Sequence, residues 1–78
     1  MLRFVLIENS QNDATYEYYP EGKGQPGIIT VFKETGDLNV VKLAEGDKLK
    51  LYAAKMFRKL SEFHRKNTYE EKGIVAWY

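Results

Sequence analysis

The sequence predicts a single α+β domain over residues 1–78, with two layers in the order β-β-β-β-α-β. Three observations lead to this prediction. Strand-forming segments separated by turn residues occupy the chain as far as Leu43. The apolar spacing then takes the helical period up to Lys66, and a last apolar segment closes the chain. We therefore expect an antiparallel meander of four strands, one long amphipathic helix and a C-terminal fifth strand.

The first two strands are predicted on either side of a polar turn. Leu2–Glu8 is almost continuously apolar, which is typical of a strand covered on both faces. Ser10–Asp13 carries side chains that bond to nearby backbone and favour a turn. Ala14–Tyr19 is rich in Thr and Tyr, which favour the pleated conformation, and Pro20 ends its pairing. These two segments form the first antiparallel pair.

A hairpin joins the next two strands. Gly27–Lys33 is rich in β-branched residues, and Leu38–Leu43 returns after the turn Glu34–Asp37. Gly36 in that turn accepts positive φ at the chain reversal. The glycine-rich loop before this hairpin, residues 22–27, is followed by a strand. A phosphate-binding loop needs Lys followed by Ser or Thr and then a helix, so this loop is a connection.

The helix is predicted from Asp47, a suitable N-cap, to Lys66, with Asn67 as its stop. Its larger apolar side chains fall within an arc of about 140°, which predicts a broad core-facing stripe. These residues are Leu49, Tyr52, Ala53, Met56, Phe57, Leu60 and Phe63. Residues 48–51 alternate Lys and Leu like a strand, so a start nearer Leu51 remains open.

The C-terminal segment completes the sheet. Thr68–Glu71 has the spacing of a capping box, which predicts one extra helical turn. Gly73–Tyr78 lacks polar alternation, which predicts a buried fifth strand beside another strand.

The strands carry apolar residues on both faces, whereas one helix covers only one face. Val5 and Ile7 have one parity in the first strand, while Phe4 and Leu6 have the other. Large uncovered apolar patches on small proteins usually mark interaction surfaces. We therefore expect a homodimer or a protein partner. The candidate partner contacts are Tyr16, Tyr18, Val5, Ile7 and Trp77.

Composition narrows the functional classes. Twelve basic and eleven acidic residues give a net charge of +1, and the chain has no cysteine and one histidine. Disulfides, thiolate zinc sites and cysteine nucleophiles are thereby excluded, and we expect no metal and no cofactor. The N-terminal apolar run ends too early for a signal peptide, and no stretch approaches the roughly 18 apolar residues of a membrane span. We expect a cytoplasmic protein without a membrane partner.

A basic stripe runs along the polar side of the predicted helix. Between Lys48 and Lys66 there are seven basic residues, and Glu62 is the one acidic residue. Such a stripe can hold phosphates by releasing counterions, or it can be an ordinary solvated helix face. The candidate nucleic-acid contacts are Lys48, Lys55, Arg58, Lys59, Arg65 and Lys66.

The remaining polar residues do not indicate an active site. Tyr16 and Tyr18 share a strand face and can stack on bases, anchor a partner or pack across strands. His64 borders the apolar face of the helix, where a histidine is usually a packing residue; Ser61 nearby has no positioned acid or oxyanion loop. We therefore expect no catalytic site.

Two resemblances add to this interpretation. In Tyr16–Lys23, Pro26–Ile29 and Gly73–Tyr78 the chain resembles small uncharacterised bacterial single-domain proteins, which implies a stand-alone bacterial domain without an assigned activity. Four antiparallel strands followed by an amphipathic helix are also similar to the dimeric single-stranded-DNA-binding transcriptional coactivator fold. The chain departs from that fold in its final strand, its near-neutral charge and the acidic residues beside its strand tyrosines.

The sequence thus favours a non-enzymatic interaction or accessory module that self-associates through its sheet. The alternative hypothesis is a nucleic-acid-binding protein that uses the basic face of the helix over residues 48–66. An enzyme would require a site assembled between subunits.

Overall fold

The computed structural model describes residues 1–76, which form one five-stranded antiparallel sheet and one helix. The sheet order is β4-β3-β2-β1-β5. The elements are β1 Leu2–Asn9, β2 Asp13–Pro20, β3 Gly27–Phe32, β4 Leu38–Lys42, α1 Leu51–Lys66 and β5 Lys72–Val75. Hairpins connect β1 to β4 in chain order, and the fifth strand joins the opposite edge. The predicted α+β meander with a C-terminal fifth strand is confirmed.

The fifth strand is an edge strand. It pairs antiparallel with β1, with Val75 opposite Leu2 and Lys72 opposite Val5. Its prediction as a buried strand is wrong over the described residues, because β5 has a neighbour on one side only and Ile74 is 60% exposed. Trp77 and Tyr78 lie outside the described residues.

Two strands carry bulges. In β1 the register shifts after Leu6, so that Ile7 and Glu8 lie at the position opposite Thr15. In β4 the register shifts beside Ile28, and Val41 is the extra residue next to Lys42. Each bulge bends its strand and adds local twist.

The core lies between the sheet and one face of α1. The largest fully buried side chains are Tyr16, Tyr18, Phe4, Phe63, Leu2, Ile29, Met56, Leu60 and Val31. The rings of Phe4, Tyr16 and Phe63 lie 5.8 Å apart, centroid to centroid, in edge-on and tilted contacts. A Cβ at Gly27 would lie 2.1 Å from Cε1 of Tyr18, so glycine is required beneath that ring. The apolar stripe of the helix therefore packs on strand aromatics.

The helix begins at Leu51, the later of the two predicted starts, rather than at Asp47. Asp47 is buried and acts on the helix from outside it: the N–H groups of Tyr52 and Ala53 donate to its Oδ1 and Oδ2, at 3.0 Å each. Lys50, between them in sequence, has the left-handed conformation with φ 60° and separates the Asp47 turn from the helix. Asp47 therefore accepts hydrogen bonds from the first turn of the helix, as an N-cap does, although it lies four residues before the first helical residue.

The helix ends as predicted, but no further turn follows it. Asn67 has φ 53°, and its N–H donates to the carbonyl of His64 at 3.2 Å. The predicted extra turn at Thr68–Glu71 is wrong, since that segment has no helical structure and leads directly into β5. Its backbone carbonyls bond to the sheet: that of Glu70 accepts from the Tyr16 hydroxyl at 2.6 Å, and that of Glu71 accepts from the N–H of Leu6 at 2.7 Å.

Candidate protein-interaction surface

The sheet has one face beneath α1 and one face without a covering element in the described chain. We call the second the open face. Alternation along the strands assigns side chains to it, because the residues of the other parity are buried under the helix. The open face consists of Arg3, Val5, Asp13, Thr15, Glu17, Tyr19, Ile28, Thr30, Phe32, Asn39, Lys72 and Ile74, with Ile7, Glu8, Val41 and Lys42 at the two bulges.

Apolar side chains are concentrated on this face. Of the seven large hydrophobic residues exposed in residues 1–76, four belong to it. Their exposed fractions are 60% for Ile74, 58% for Val41, 49% for Ile7 and 41% for Phe32. Val5 and Ile28 are half-buried between them. The open face is therefore a broad apolar surface interrupted by charges, as protein-interaction surfaces usually are.

Tyr19 contacts two charged residues of the open face, Arg3 and Glu17. The guanidinium of Arg3 lies over the Tyr19 ring, 4.1 Å from its centroid. The Tyr19 hydroxyl donates to Oε1 of Glu17 at 3.0 Å, and this hydrogen bond is the main reason that the pKa of Tyr19 is raised. Among the described residues, the ion pairs do not include Arg3 or Glu17. One tyrosine thus positions a cation and an anion on the same face.

The predicted partner contacts divide between surface and core. Val5 lies on the open face, and Ile7 lies at its β1 bulge. Tyr16 and Tyr18 are fully buried on the other face, so their rings pack against the helix layer and offer no surface to a partner. Trp77 lies outside the described residues.

The two buried tyrosines each use the hydroxyl inside the fold. Tyr16 donates to a backbone carbonyl, as described above, and burial raises its pKa. Tyr18 donates to Oδ2 of Asp47 at 2.9 Å and accepts from the N–H of Ala44 at 3.1 Å, and burial raises its pKa to about 12. Cross-strand packing, one of the three interpretations of this pair, fits the structure.

The sequence interpretation missed Tyr19, Ile28 and Ile74 as surface residues. All three have the parity opposite to the residues packed under the helix. Their signal was present in the alternation, since Tyr19 points away from Tyr18 along β2. Both parities are apolar in β1 and β5, however, so alternation within a single strand does not say which face the helix covers.

The basic residues of the helix belong to the layer on the other side of the sheet from the open face, and Lys55 and Lys59 are half-buried there beside the end of β5. Lys48 is exposed in the turn before α1, and Arg58 and Arg65 are exposed along it. Glu62 lies within the stripe, 3.7 Å from Nζ of Lys59 and 3.4 Å from Nζ of Lys66. The hydrogen bond from Lys66 is the main reason that the pKa of Glu62 is lowered. This carboxylate compensates part of the positive charge of the stripe.

His64 has the packing role predicted for it. It is half-buried, and its Nε2 lies 3.0 Å from the carbonyl oxygen of Lys33. A Cβ at Gly36, which has φ 80°, would lie 2.8 Å from Cε1 of His64, so the hairpin turn needs glycine beside this ring. Within residues 1–76, no three His, Asp or Glu side chains come together as a metal site.

No protein-family model, curated protein or solved structure matches this chain. In the part of the chain that the structure describes, no helix has both the length and the apolar character to cross a bilayer.

Proposed function

We propose that this protein is a non-enzymatic interaction module that self-associates through the open face. The observation that supports this most is the concentration of exposed Ile74, Val41, Ile7 and Phe32 on the side of the sheet that the helix leaves uncovered. A chain of this length buries only about 60% of its unfolded surface, so a second copy covering the sheet adds apolar burial that the single chain lacks.

The size of the face fits a weak, reversible dimer. Five strands about 4.8 Å apart and about six residues of roughly 3.3 Å each give a face of about 24 by 20 Å. The molecule measures 31 × 24 × 19 Å overall, so this face is one of its broad sides. Two such faces bury about 1,000 Å², which is near the lower end of specific interfaces. We therefore expect dimerisation in the micromolar range or weaker.

The two edges of the sheet are less suited to association than its face. The outer strand β5 is four residues long and exposes Lys72. The other outer strand, β4, is interrupted at Val41 and carries Lys42 beside the bulge. Short strands, bulges and lysines are the features by which natural sheets resist edge-to-edge pairing.

Sedimentation velocity from about 1 µM to about 1 mM protein tests the proposal. We expect the weight-average mass to rise from monomer toward dimer, and Ile74→Glu to keep the protein monomeric. Leu49→Glu is the matched control, because Leu49 is 80% exposed in the turn before α1 and is not among the open-face residues. A monomer throughout this range, or equal loss of association in both variants, would argue against the proposal.

A second candidate function is nucleic-acid binding by the basic side of α1. The segregation of seven basic residues and one acidic residue between Lys48 and Lys66 favours it. Fluorescence anisotropy with labelled single- and double-stranded oligonucleotides tests it. Six phosphate contacts predict an affinity loss of about a thousandfold between 50 mM and 200 mM salt, and neutralising Lys55, Arg58 and Lys59 together should weaken binding. Absence of binding at the lower salt concentration leaves the stripe as a solvated helix face.

A further inference from the structure

Four open-face residues form a compact rectangle on β1 and β2, toward the end of the sheet at which β1 begins. Arg3 is directly opposite Tyr19, and Val5 is directly opposite Glu17. Neighbouring strands are about 4.8 Å apart, and residues two apart along a strand are separated by about 6.7 Å. Arg3 and Glu17 therefore occupy the two ends of one diagonal, while Tyr19 and Val5 occupy the ends of the other.

We infer that two copies dock open face to open face about a two-fold axis along the Tyr19–Val5 diagonal, so that Arg3 of each copy meets Glu17 of the other. The inference rests on the proposed self-association and specifies its contact. In a two-fold interface, residues on the axis face their own copies and residues beside it exchange places. Tyr19 and Val5 then form an apolar seam, with an Arg3–Glu17 pair on each side.

The same axis matches the residues outside the rectangle. Ile74 lies on β5, one strand from Arg3, and Ile28 lies on β3, one strand from Glu17. Both are on the open face, in opposite directions across the sheet. With these two spacings, the rotation brings Ile74 of one copy to within about 3 Å, in projection, of Ile28 of the other.

A second charge pair follows from the same rotation. Lys72 lies one strand outward from Val5, and Glu8 lies at the next open-face position along β1. The rotation exchanges these two directions about Val5, which brings Lys72 of one copy near Glu8 of the other. Opposite charges therefore face each other at both positions, which is the complementarity that fixes the register of an interface.

The resulting geometry belongs to a known class of sheet packing. With these spacings the diagonal makes an angle of about 35° with the strands, so the strands of the two copies cross at roughly 70°. Steep crossings of this kind occur in orthogonal sheet packings, whose corners are formed by bulges and bends.

The two central charges are already positioned for this contact. Arg3 rests on the Tyr19 ring and Glu17 accepts from the Tyr19 hydroxyl. Neither takes part in an ion pair within residues 1–76, so neither has to break one in order to pair across the interface. Side chains held in place before docking lose less freedom when the complex forms.

Charge reversal with complementation tests the contact. Arg3→Glu makes both contact positions, 3 and 17, acidic in each copy, and Glu17→Arg makes both basic. Like charges then meet across the interface, so the dimer of each variant alone should be at least about tenfold weaker than that of the wild type. An equimolar mixture of the two should form a heterodimer with nearly wild-type affinity, and the double variant R3E/E17R should recover the homodimer. Arg58→Glu, an exposed charge on the helix, is the control and should leave association unchanged.

The outcomes separate this inference from the proposed function. A wild-type protein that stays monomeric overturns both. Wild-type dimerisation that Ile74→Glu disrupts, but that both reversals leave intact or the mixture fails to restore, overturns the inferred axis and keeps the open face as the interface. Circular dichroism establishes that each variant is folded. Should a reversal variant unfold, Arg3→Gln and Glu17→Gln are used instead. The loss of dimerisation free energy in the double variant should then be smaller than the sum of the losses in the two single variants.

Discussion

Replacing Asp47 by alanine is expected to lower the free energy of unfolding by about 3–4 kcal/mol. The carboxylate accepts from the Tyr18 hydroxyl at 2.9 Å and from the N–H groups of Tyr52 and Ala53 at 3.0 Å. Tyr18 and Ala53 are buried, so water cannot replace the carboxylate as acceptor for their donor groups. Each buried donor left without an acceptor costs about 1–3 kcal/mol. The total stability of a domain of this size is about 4–12 kcal/mol, so the variant should be close to unfolding.

Urea unfolding followed by circular dichroism measures this loss. Glu45→Ala is the matched control, because Glu45 is an exposed acid two residues away and its removal should change stability by less than about 0.5 kcal/mol. Asp47→Asn keeps one acceptor oxygen and should fall between the two. An Asp47→Ala protein as stable as the Glu45→Ala control would refute the assignment of Asp47 as the cap of the helix.

Three further predictions concern the core. Gly27→Ala should cost about 3 kcal/mol in urea unfolding, because its Cβ meets the Tyr18 ring, whereas Gly46→Ala, with φ 85° and no atom within 4 Å, should cost about 1 kcal/mol; equal costs would contradict the packing. Leu60→Ala should cost about 3–5 kcal/mol and the exposed Leu51→Ala less than about 0.5 kcal/mol, so similar values would place Leu60 outside the core. Burial raises the pKa of Tyr18 from near 10 to about 12, so its contribution to stability is complete below about pH 10 and is lost as the pH rises toward 12. The free energy of unfolding should therefore fall over that range, and less steeply in Tyr18→Phe.

The order and type of the elements followed from local patterns. Turn residues and glycines separate four segments that alternate or run apolar, and the change to helical spacing marks α1. These signals depend on neighbouring residues, so they survive in a fold dominated by hairpins.

Errors arose where distant residues decide local structure. The helix starts at Leu51, the later of the two starts that the sequence left open, but the hydrogen bond of Asp47 with Tyr18, twenty-nine positions away in sequence, was not predicted. The capping-box spacing of Thr68–Glu71 gives no helical turn because the carbonyls of Glu70 and Glu71 bond to Tyr16 and Leu6. Neither contact can be derived from spacing along the chain.

The sequence predicted that the sheet has an uncovered apolar face, but it identified only some of the residues on that face. An uncovered apolar face followed from apolar residues of both parities, and Val5 was placed on it correctly. Tyr16 and Tyr18 were grouped with Val5, although they belong to the opposite face. Deciding between the faces requires the register of β1 against β2, which pairs Phe4 with Tyr18 and Val5 with Glu17.

Amide chemical shifts followed during dilution test self-association through the open face most directly. In ¹H–¹⁵N spectra recorded from about 1 mM down to about 20 µM, the amides of Val5, Tyr19, Ile28 and Ile74 should shift together along one binding curve. Amides on the exposed side of α1, such as that of Arg58, should not move. Concentration-dependent shifts confined to the helix, or no shifts at all, would contradict the account.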